Sequence, residues 1–142
     1  MFCAFCKSFT LKTFCKTCSQ ILSEPSPLVR ELEGFKIYSF YGYSEIKELI
    51  HSKHQMHGLF IYKNLAKFAF KKFAKSFSFP EQIYALPIDD RVHHGYSHTA
   101  ILANELRAKN LKPIFHALHA TSSVSYSGKD LKFRQNLSLI HI

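Results

Sequence analysis

Two Cys-x-x-Cys pairs near the start of the chain are the feature that most constrains its fold. Cys3 and Cys6 form the first pair, and Cys15 and Cys18 form the second pair after a gap of eight residues. This spacing allows two tight turns to present four sulfurs to one tetrahedral ion. The pattern therefore predicts a four-cysteine zinc module, a knuckle or ribbon, at residues 1–24.

So short a segment cannot bury enough apolar surface to fold alone, whereas structural zinc contributes roughly 10–16 kcal/mol in comparable peptides. A redox dithiol or an iron–sulfur cluster is the alternative, but two paired motifs favour closed structural zinc, and four Cys ligands leave no open position for catalysis. Lysines are expected to offset the negative charge of the thiolates, and phenylalanines to shield the sulfurs. These residues are Lys7, Lys12, Lys16, Phe2, Phe5, Phe9 and Phe14.

The chain is strongly basic, with 19 Lys and Arg against 10 Asp and Glu and a formal charge of +9. Such a charge favours a polyanion or a phosphorylated ligand as partner, although a merely soluble basic protein would show the same excess. Lysines interrupt every apolar segment before about 18 residues, the length that a membrane-spanning helix needs, and no secretory leader is recognisable. These features predict a cytoplasmic protein without a membrane span, whose thiols stay reduced.

A proline-containing stretch at residues 23–27 marks the predicted domain boundary, because each proline removes a backbone donor and restrains its neighbour. The second domain is predicted at residues 34–142, with strands at 35–41, 82–87 and 113–118 and helices at 45–53, 59–77 and 98–109. Ser44 and Ser97 are the expected N-caps of the first and third of these helices. Ile46, Leu49 and Ile50 form a predicted apolar stripe on the first helix. Strands separated by helices indicate a parallel sheet flanked by helices, and hence an α/β fold, since parallel neighbours need long crossovers.

A row of lysines lies on the second predicted helix. Lys63, Lys67, Lys71 and Lys75 recur at four-residue spacing, which places them along one face. Such a row can follow a nucleic-acid backbone, where each neutralised phosphate releases a counterion. The alternative is the solvated face of an ordinary amphipathic helix.

The segment at residues 85–103 contains Leu86-Pro87-Ile88, then Arg91, the run His94-Gly95-Tyr96-Ser97-His98, and finally Leu102-Ala103. Together with the paired cysteines, this segment resembles the ComF family, in which a four-Cys zinc module precedes a type I phosphoribosyltransferase domain. In that family a Val/Leu-Pro-Val/Ile strand leads to an Arg-rich turn, R-G-F-N-Q, and a helix with Leu-Ala. Weaker similarities are Tyr41-Gly42-Tyr43 with the helix after it, and Arg134 with Asn136.

The resemblance implies an incomplete type I phosphoribosyltransferase-like parallel sheet. The family's loop for phosphoribosyl pyrophosphate (PRPP), two acids followed by Thr-Thr-Gly-x-Thr, should come after Arg134, and the 142 residues do not contain it. We therefore expect a C-terminally truncated or frameshifted copy, with Mg²⁺ and PRPP binding only to a full-length form. Asp89-Asp90 imitates the loop in spacing, but His93 and His94 stand where small hydroxyl residues should cradle a phosphate.

A phosphate site is predicted at Arg91, Gly95, Tyr96 and Ser97, where backbone amides at the start of a helix would lie beside a guanidinium group. The alternative is that Ser97 is an ordinary N-cap and Arg91 a surface charge. No Ser-His-Asp or Cys-His constellation can be argued from the order of the residues, so no catalytic residue is named.

The resemblance implies a competence protein of natural transformation that takes part in the uptake or handling of single-stranded DNA, with DNA-uptake or helicase proteins as partners. An active phosphoribosyltransferase of nucleotide metabolism, in a full-length form, is one alternative. A zinc-stapled module for nucleic-acid or protein interaction is another. Because a missing strand leaves apolar helix faces uncovered, we expect low solubility or marginal stability.

Overall fold

The computed structural model describes residues 1–89 and 95–119, together with residues 130 and 132. Helices and small sheets occur together in this part of the chain, so the fold is mixed α/β. The elements in chain order are α1 (Lys16–Ser23), β1 (Leu28–Leu32), β2 (Phe35–Ser39), α2 (Tyr43–His51), α3 (Gly58–Leu65), α4 (Lys71–Ser76), β3 (Ile83–Ala85), β4 (Ile88–Asp89), α5 (His98–Asn104), β5 (Leu111–Pro113) and β6 (Leu118–His119).

The first two strands form an antiparallel hairpin that the sequence pattern did not predict. β1 pairs with β2 over its whole length, from Leu28 opposite Ser39 to Leu32 opposite Phe35. Glu33 and Gly34 join the strands, and both have positive φ, at 52° and 83°. Two-residue hairpin loops with positive φ at both positions match the right-handed twist of the strands. The predicted strand at 35–41 is therefore present as β2, but its partner lies before it in the chain and runs antiparallel.

Helix α2 begins slightly earlier than its predicted cap implied. Gly42 takes the N-cap position, and the Glu45 carboxylate accepts a hydrogen bond of 3.1 Å from the Gly42 N–H. Ser44, the expected cap, lies inside the first turn. Ile46 and Leu49 of α2 are buried, as the apolar stripe predicted, and a short 3₁₀ turn (Ser52–His54) leads towards α3.

The long helix predicted at 59–77 is present as one continuous helical run, residues 58–76. It consists of α3, a π-helical turn (Ala66–Phe70) and α4. Within the π turn the Lys71 N–H donates to the Ala66 carbonyl, an i→i+5 bond. Phe73 contacts the ring of Tyr38 on β2 at a centroid distance of 5.0 Å, so one side of the helix packs on the hairpin.

The remaining strands form two parallel pairs, with α5 between their members in the chain. β3 pairs with β5, and β4 pairs with β6. This β-α-β order is the one that parallel pairing requires. Helix α5 is shorter than the predicted 98–109, since residues 108–111 turn back on themselves through an Ala108–Leu111 bridge that leads into β5. A single large parallel sheet is not present in the described part of the chain.

The main core cluster joins the cysteine module, residues 1–24, to the helices that follow it. Cys3, Phe14, Cys18 and Leu22 from the module pack with Ile46, Leu49, Ile61 and Leu65 from α2 and α3. The Tyr41 hydroxyl adds a hydrogen bond of 2.7 Å to the Leu22 carbonyl. Burial raises the pKa of Tyr41 to about 12, which keeps this hydroxyl protonated as a donor at neutral pH.

Gly58 permits the close approach of the turn before α3. A Cβ at this position would fall well inside contact distance of the Ser52 carbonyl oxygen and the Tyr96 hydroxyl. We expect Gly58→Ala to lower the free energy of unfolding by about 1–3 kcal/mol, because a backbone atom must shift to admit the methyl group. Urea denaturation measures this change, and Lys63→Ala at an exposed site of the same helix is the control. A Gly58→Ala protein as stable as the control would contradict the close packing.

Candidate metal centre and nucleic-acid interface

The four cysteines converge on one point, as their spacing predicted. Their Sγ atoms all lie within 4.8 Å of one another. Cys6 Sγ and Cys15 Sγ are 3.7 Å apart. Four sulfurs placed tetrahedrally about 2.3 Å from a zinc ion would be about 3.8 Å apart, so this pair already has the separation that a shared ion needs.

Each pair of cysteines owes its position to a different local structure. In the first pair, the Cys3 N–H donates to the Ser8 carbonyl at 2.7 Å, and the Lys7 N–H donates to the Cys3 carbonyl at 3.0 Å. Lys7 takes a positive φ of 63°, which closes this turn. In the second pair, Cys15 is the N-cap of α1, and its sulfur accepts a hydrogen bond from the Cys18 N–H at 3.5 Å.

The protonation of the thiols differs around the cluster. Hydrogen bonds from the Ser8 hydroxyl and its backbone N–H lower the pKa of Cys6 to about 6, whereas burial raises the pKa of Cys18. Burial also opposes ionisation of Cys3, but N–H groups of Cys15, Cys6 and Phe5 together bring its pKa below the ordinary value. A metal ion that binds all four sulfurs must therefore displace a proton from Cys18.

The donor set fits a soft or borderline metal ion such as zinc. All four cysteines are free thiols, and four sulfurs in a tetrahedral arrangement suit zinc or iron. Cys3 is fully buried and Cys18 is 4% exposed, while Cys6 lies at the surface. The site can hold a metal that is shielded on its inner side by the core and open to solvent at Cys6.

Two of the four phenylalanines that were expected to shield the sulfurs lie on the protected side of the cluster, and two do not. Phe14 is 3% exposed and Phe5 is half-buried, so both belong to the protected side of the cluster. Phe2 and Phe9 do not cover the sulfurs from solvent themselves, because they are 68% and 72% exposed. Their rings instead contact each other edge to face at 6.4 Å, across the bridge that closes the first turn.

We expect one zinc ion per chain by plasma mass spectrometry of the purified protein. Cys18→Ser should reduce zinc affinity at least tenfold and lower the thermal midpoint, because a hydroxyl is a poor substitute for a thiolate. Thr17→Ser, an exposed position between Cys15 and Cys18, is the matched control and should keep its zinc. Iron with acid-labile sulfide would indicate an iron–sulfur cluster instead of zinc. A wild-type protein that contains no metal and is as stable without metal as with it would contradict the proposed metal site.

The four predicted lysines are all exposed, but they have different surroundings. Lys63 and Lys67 line a depression of about 530 Å³ between the long helix and α5. Lys71 lies beside it, with its ammonium group 3.9 Å from the Glu105 carboxylate. Lys75 is exposed near the end of α4. Lys72, in contrast, donates to the Ser23 carbonyl at the end of α1 and so faces the cysteine module.

The π turn favours the alignment of this row. In a regular α-helix, residues four apart drift by about 40°, so a row of four lysines would spiral around the axis. The i→i+5 turn at Ala66–Phe70 winds the helix more loosely between Lys67 and Lys71. It thereby reduces the drift in the middle of the row.

The predicted phosphate residues are described only in part, since Arg91 lies outside the described residues, as do Arg134 and Asn136. Ser97 is the N-cap of α5, and its hydroxyl accepts a hydrogen bond from the Ala100 N–H at 3.1 Å. Gly95 has a positive φ of 77°. The Tyr96 hydroxyl donates hydrogen bonds to backbone carbonyls of the turn before α3, including that of Gln55 at 3.0 Å.

The structure brings two of the predicted sets together. Ser97, from the phosphate set, lines the same depression as Lys63 and Lys67, from the nucleic-acid set. The two sets are unrelated in the sequence, where more than 30 residues separate Lys63 from Ser97. The packing of α5 on α3 and the π turn makes them neighbours.

Comparison with known proteins adds no identification. No family model matches the chain, and no curated protein matches it. Within the described residues, no helix is both long and apolar enough to cross a membrane.

A cleft that the sequence pattern did not predict lies beside the cysteine module. It has a volume of about 900 Å³ and lies between the module and the α2–α3 region. Its walls come from segments far apart in the chain, such as Phe2 and Phe60. No local pattern in the sequence indicates this cleft, because its walls meet only in the folded chain.

Proposed function

We propose that the protein binds single-stranded DNA, as a ComF-like protein of DNA uptake would, with zinc holding its N-terminal module and lysines of the long helix contacting phosphates. The observation that carries this proposal is the depression shared by Lys63, Lys67 and Ser97. Two lysines beside a hydroxyl offer hydrogen-bond donors to phosphate oxygens. Glu105 also lines the depression, but its carboxylate lies 3.9 Å from the Lys71 ammonium, which offsets its charge. The overall charge of +9 favours the same class of partner.

The described strands support the finer part of the proposal, an incomplete phosphoribosyltransferase-like sheet. In each of the two parallel pairs, α5 comes between the two strands in the sequence, which is the order of a βαβ unit in such a fold. Leu86-Pro87-Ile88 carries the ComF resemblance. Leu86 and Pro87 join β3 to β4, and Ile88 is the first residue of β4. The antiparallel hairpin of β1 and β2 has no counterpart in a parallel sheet and stands apart from both pairs.

Salt-dependent binding to a fluorescent oligothymidylate tests the proposal. For single strands, each phosphate that the protein neutralises contributes about 0.7 to the steepness of log K against log salt. We therefore expect Lys63→Ala/Lys67→Ala to reduce this steepness by about 1.4 and to weaken binding most at low salt. Lys36→Ala on β2, also exposed, is the single-charge control and should leave the slope unchanged.

Two results would count against DNA binding. One is the absence of measurable binding by the wild-type protein at low salt. The other is a weakening in the double variant that is only twice the weakening in the control, which would make the interaction a response to net charge alone. Restoration of the slope by Lys63→Arg/Lys67→Arg would support specific phosphate contacts.

A phosphoribosyltransferase activity is the alternative that the same resemblance motivates. With Mg²⁺, PRPP and a set of purine and pyrimidine bases, we expect the 142-residue protein to release no pyrophosphate, because its sequence has no Thr-Thr-Gly loop. Metal-dependent release of pyrophosphate would favour the enzyme over the DNA-binding protein. If neither DNA nor PRPP shifts the thermal midpoint of the protein, the protein is better described as an interaction module whose fold is held by zinc.

A further inference from the structure

The cleft beside the cysteine module has the size of a ligand site. Its volume of about 900 Å³ lies within the range of roughly 300–1,000 Å³ that is typical of small-molecule and cofactor sites. Buried Cys3, Phe14 and Ile61 contribute to its lining. The floor of the cleft is thus part of the core that the cysteine cluster organises.

Aromatic rings stand on both walls of the cleft. Phe2 belongs to the first cysteine turn and is 68% exposed, while Phe60 belongs to α3 and is 58% exposed. The Phe2 ring is held by its edge-to-face contact with Phe9. Exposed aromatic faces at a cavity are surfaces on which planar bases stack, and such stacking accepts any base.

The charged side chains that line the cleft carry an excess of one positive charge. Lys7 and Lys12 come from the cysteine module, and Glu48 of α2 is the acidic residue among the lining side chains. The Lys7 ammonium donates to the Ala4 carbonyl at 3.3 Å. His51 and His57 add two imidazole rings from the helical side. A ligand that matches both features combines flat aromatic groups with negative charge, as a single-stranded nucleic acid does in every nucleotide. An apolar helix lacks the charge, and an acidic peptide without aromatic residues lacks the rings.

The same helix borders the cleft and the lysine surface. Phe60 and Asn64 line the cleft, whereas Lys63 and Lys67 line the depression next to α5. At 3.6 residues per turn, the pair at 60 and 64 lies about 60° around the helix from the pair at 63 and 67, so the two sites border neighbouring faces of one helix. A short single strand can contact the lysines through its phosphates and still reach the cleft with its bases.

We infer that this cleft holds unpaired bases of a single-stranded nucleic acid, stacked on Phe60 and Phe2, with Lys7 and Lys12 near the adjoining phosphates. The inference rests on the proposed function and deepens it, since it assigns base contacts to the cleft and leaves backbone contacts to Lys63 and Lys67. Binding at the cleft would be independent of base sequence, because every base has an aromatic face.

Comparison of an oligothymidylate with an abasic oligonucleotide of equal length tests the inference. Phe60→Leu keeps an apolar side chain but removes the aromatic face, and Phe35→Leu, at a 74% exposed site on β2, is the matched control. We expect Phe60→Leu to weaken binding of the oligothymidylate at least about fivefold, the smallest effect typical of removing one stacked base. Its affinity for the abasic strand should equal that of the wild type, and the control should behave as wild type on both strands.

The outcomes separate this inference from the proposal on which it rests. Equal affinity of wild type and Phe60→Leu for the oligothymidylate, with Lys63→Ala/Lys67→Ala still weakened, would overturn the base-binding cleft and leave DNA binding intact. Failure of the wild type to bind either strand would overturn both. If thymidine monophosphate competed as strongly per nucleotide as the oligonucleotide, the occupant would be a free nucleotide, and the single-strand assignment would be wrong. Zinc content and thermal midpoint establish that each variant is folded.

Discussion

The proximity of four sulfurs is the constraint on which the rest of the described structure depends. Four thiolates within 4.8 Å of one another repel strongly unless protons or a cation neutralise them. The hydrogen bonds from Ser8 to Cys6 and from Cys15 N–H to Cys3 favour ionisation of two of the thiols. The arrangement is therefore suited to a bound metal, which removes the repulsion and fixes both turns at once.

The consequence of that constraint extends beyond the cysteine module. Cys3 and Cys18 are core residues as well as metal-site residues, and they pack with side chains of α2 and α3. The position of the long helix relative to the module is thereby set, which in turn shapes the cleft on one side of α3. On a neighbouring face, α3 packs against α5 and forms the depression that contains Lys63 and Lys67. One core thus positions both the cleft and the depression.

Several features were predictable because they depend on local spacing. The metal-ligand pattern, the apolar stripe of α2, the long helix and the Ser97 cap follow from residues close together in the chain. The hairpin was missed because its Glu33-Gly34 turn lacks the Asn-Gly or Asp-Gly signal, and because Pro25 and Pro27 favoured a linker. Helix α5 was predicted too long, since periodicity does not register the turn at residues 108–111 that feeds β5.

The sequence by itself determined the grouping of the four cysteines, the excess of positive charge and the order of the helices after residue 42. It did not determine the strands there, since β3 to β6 are four short strands where two were predicted. Spacing of ligands and periodicity of apolar residues are local properties, and they persist in any compact arrangement of the chain. Only the tertiary structure decided that Phe2 and Phe60 face one cleft and that Ser97 joins Lys63 and Lys67. Those neighbours come from distant segments, and their contacts depend on how the helices pack around the shared core, which no local pattern specifies.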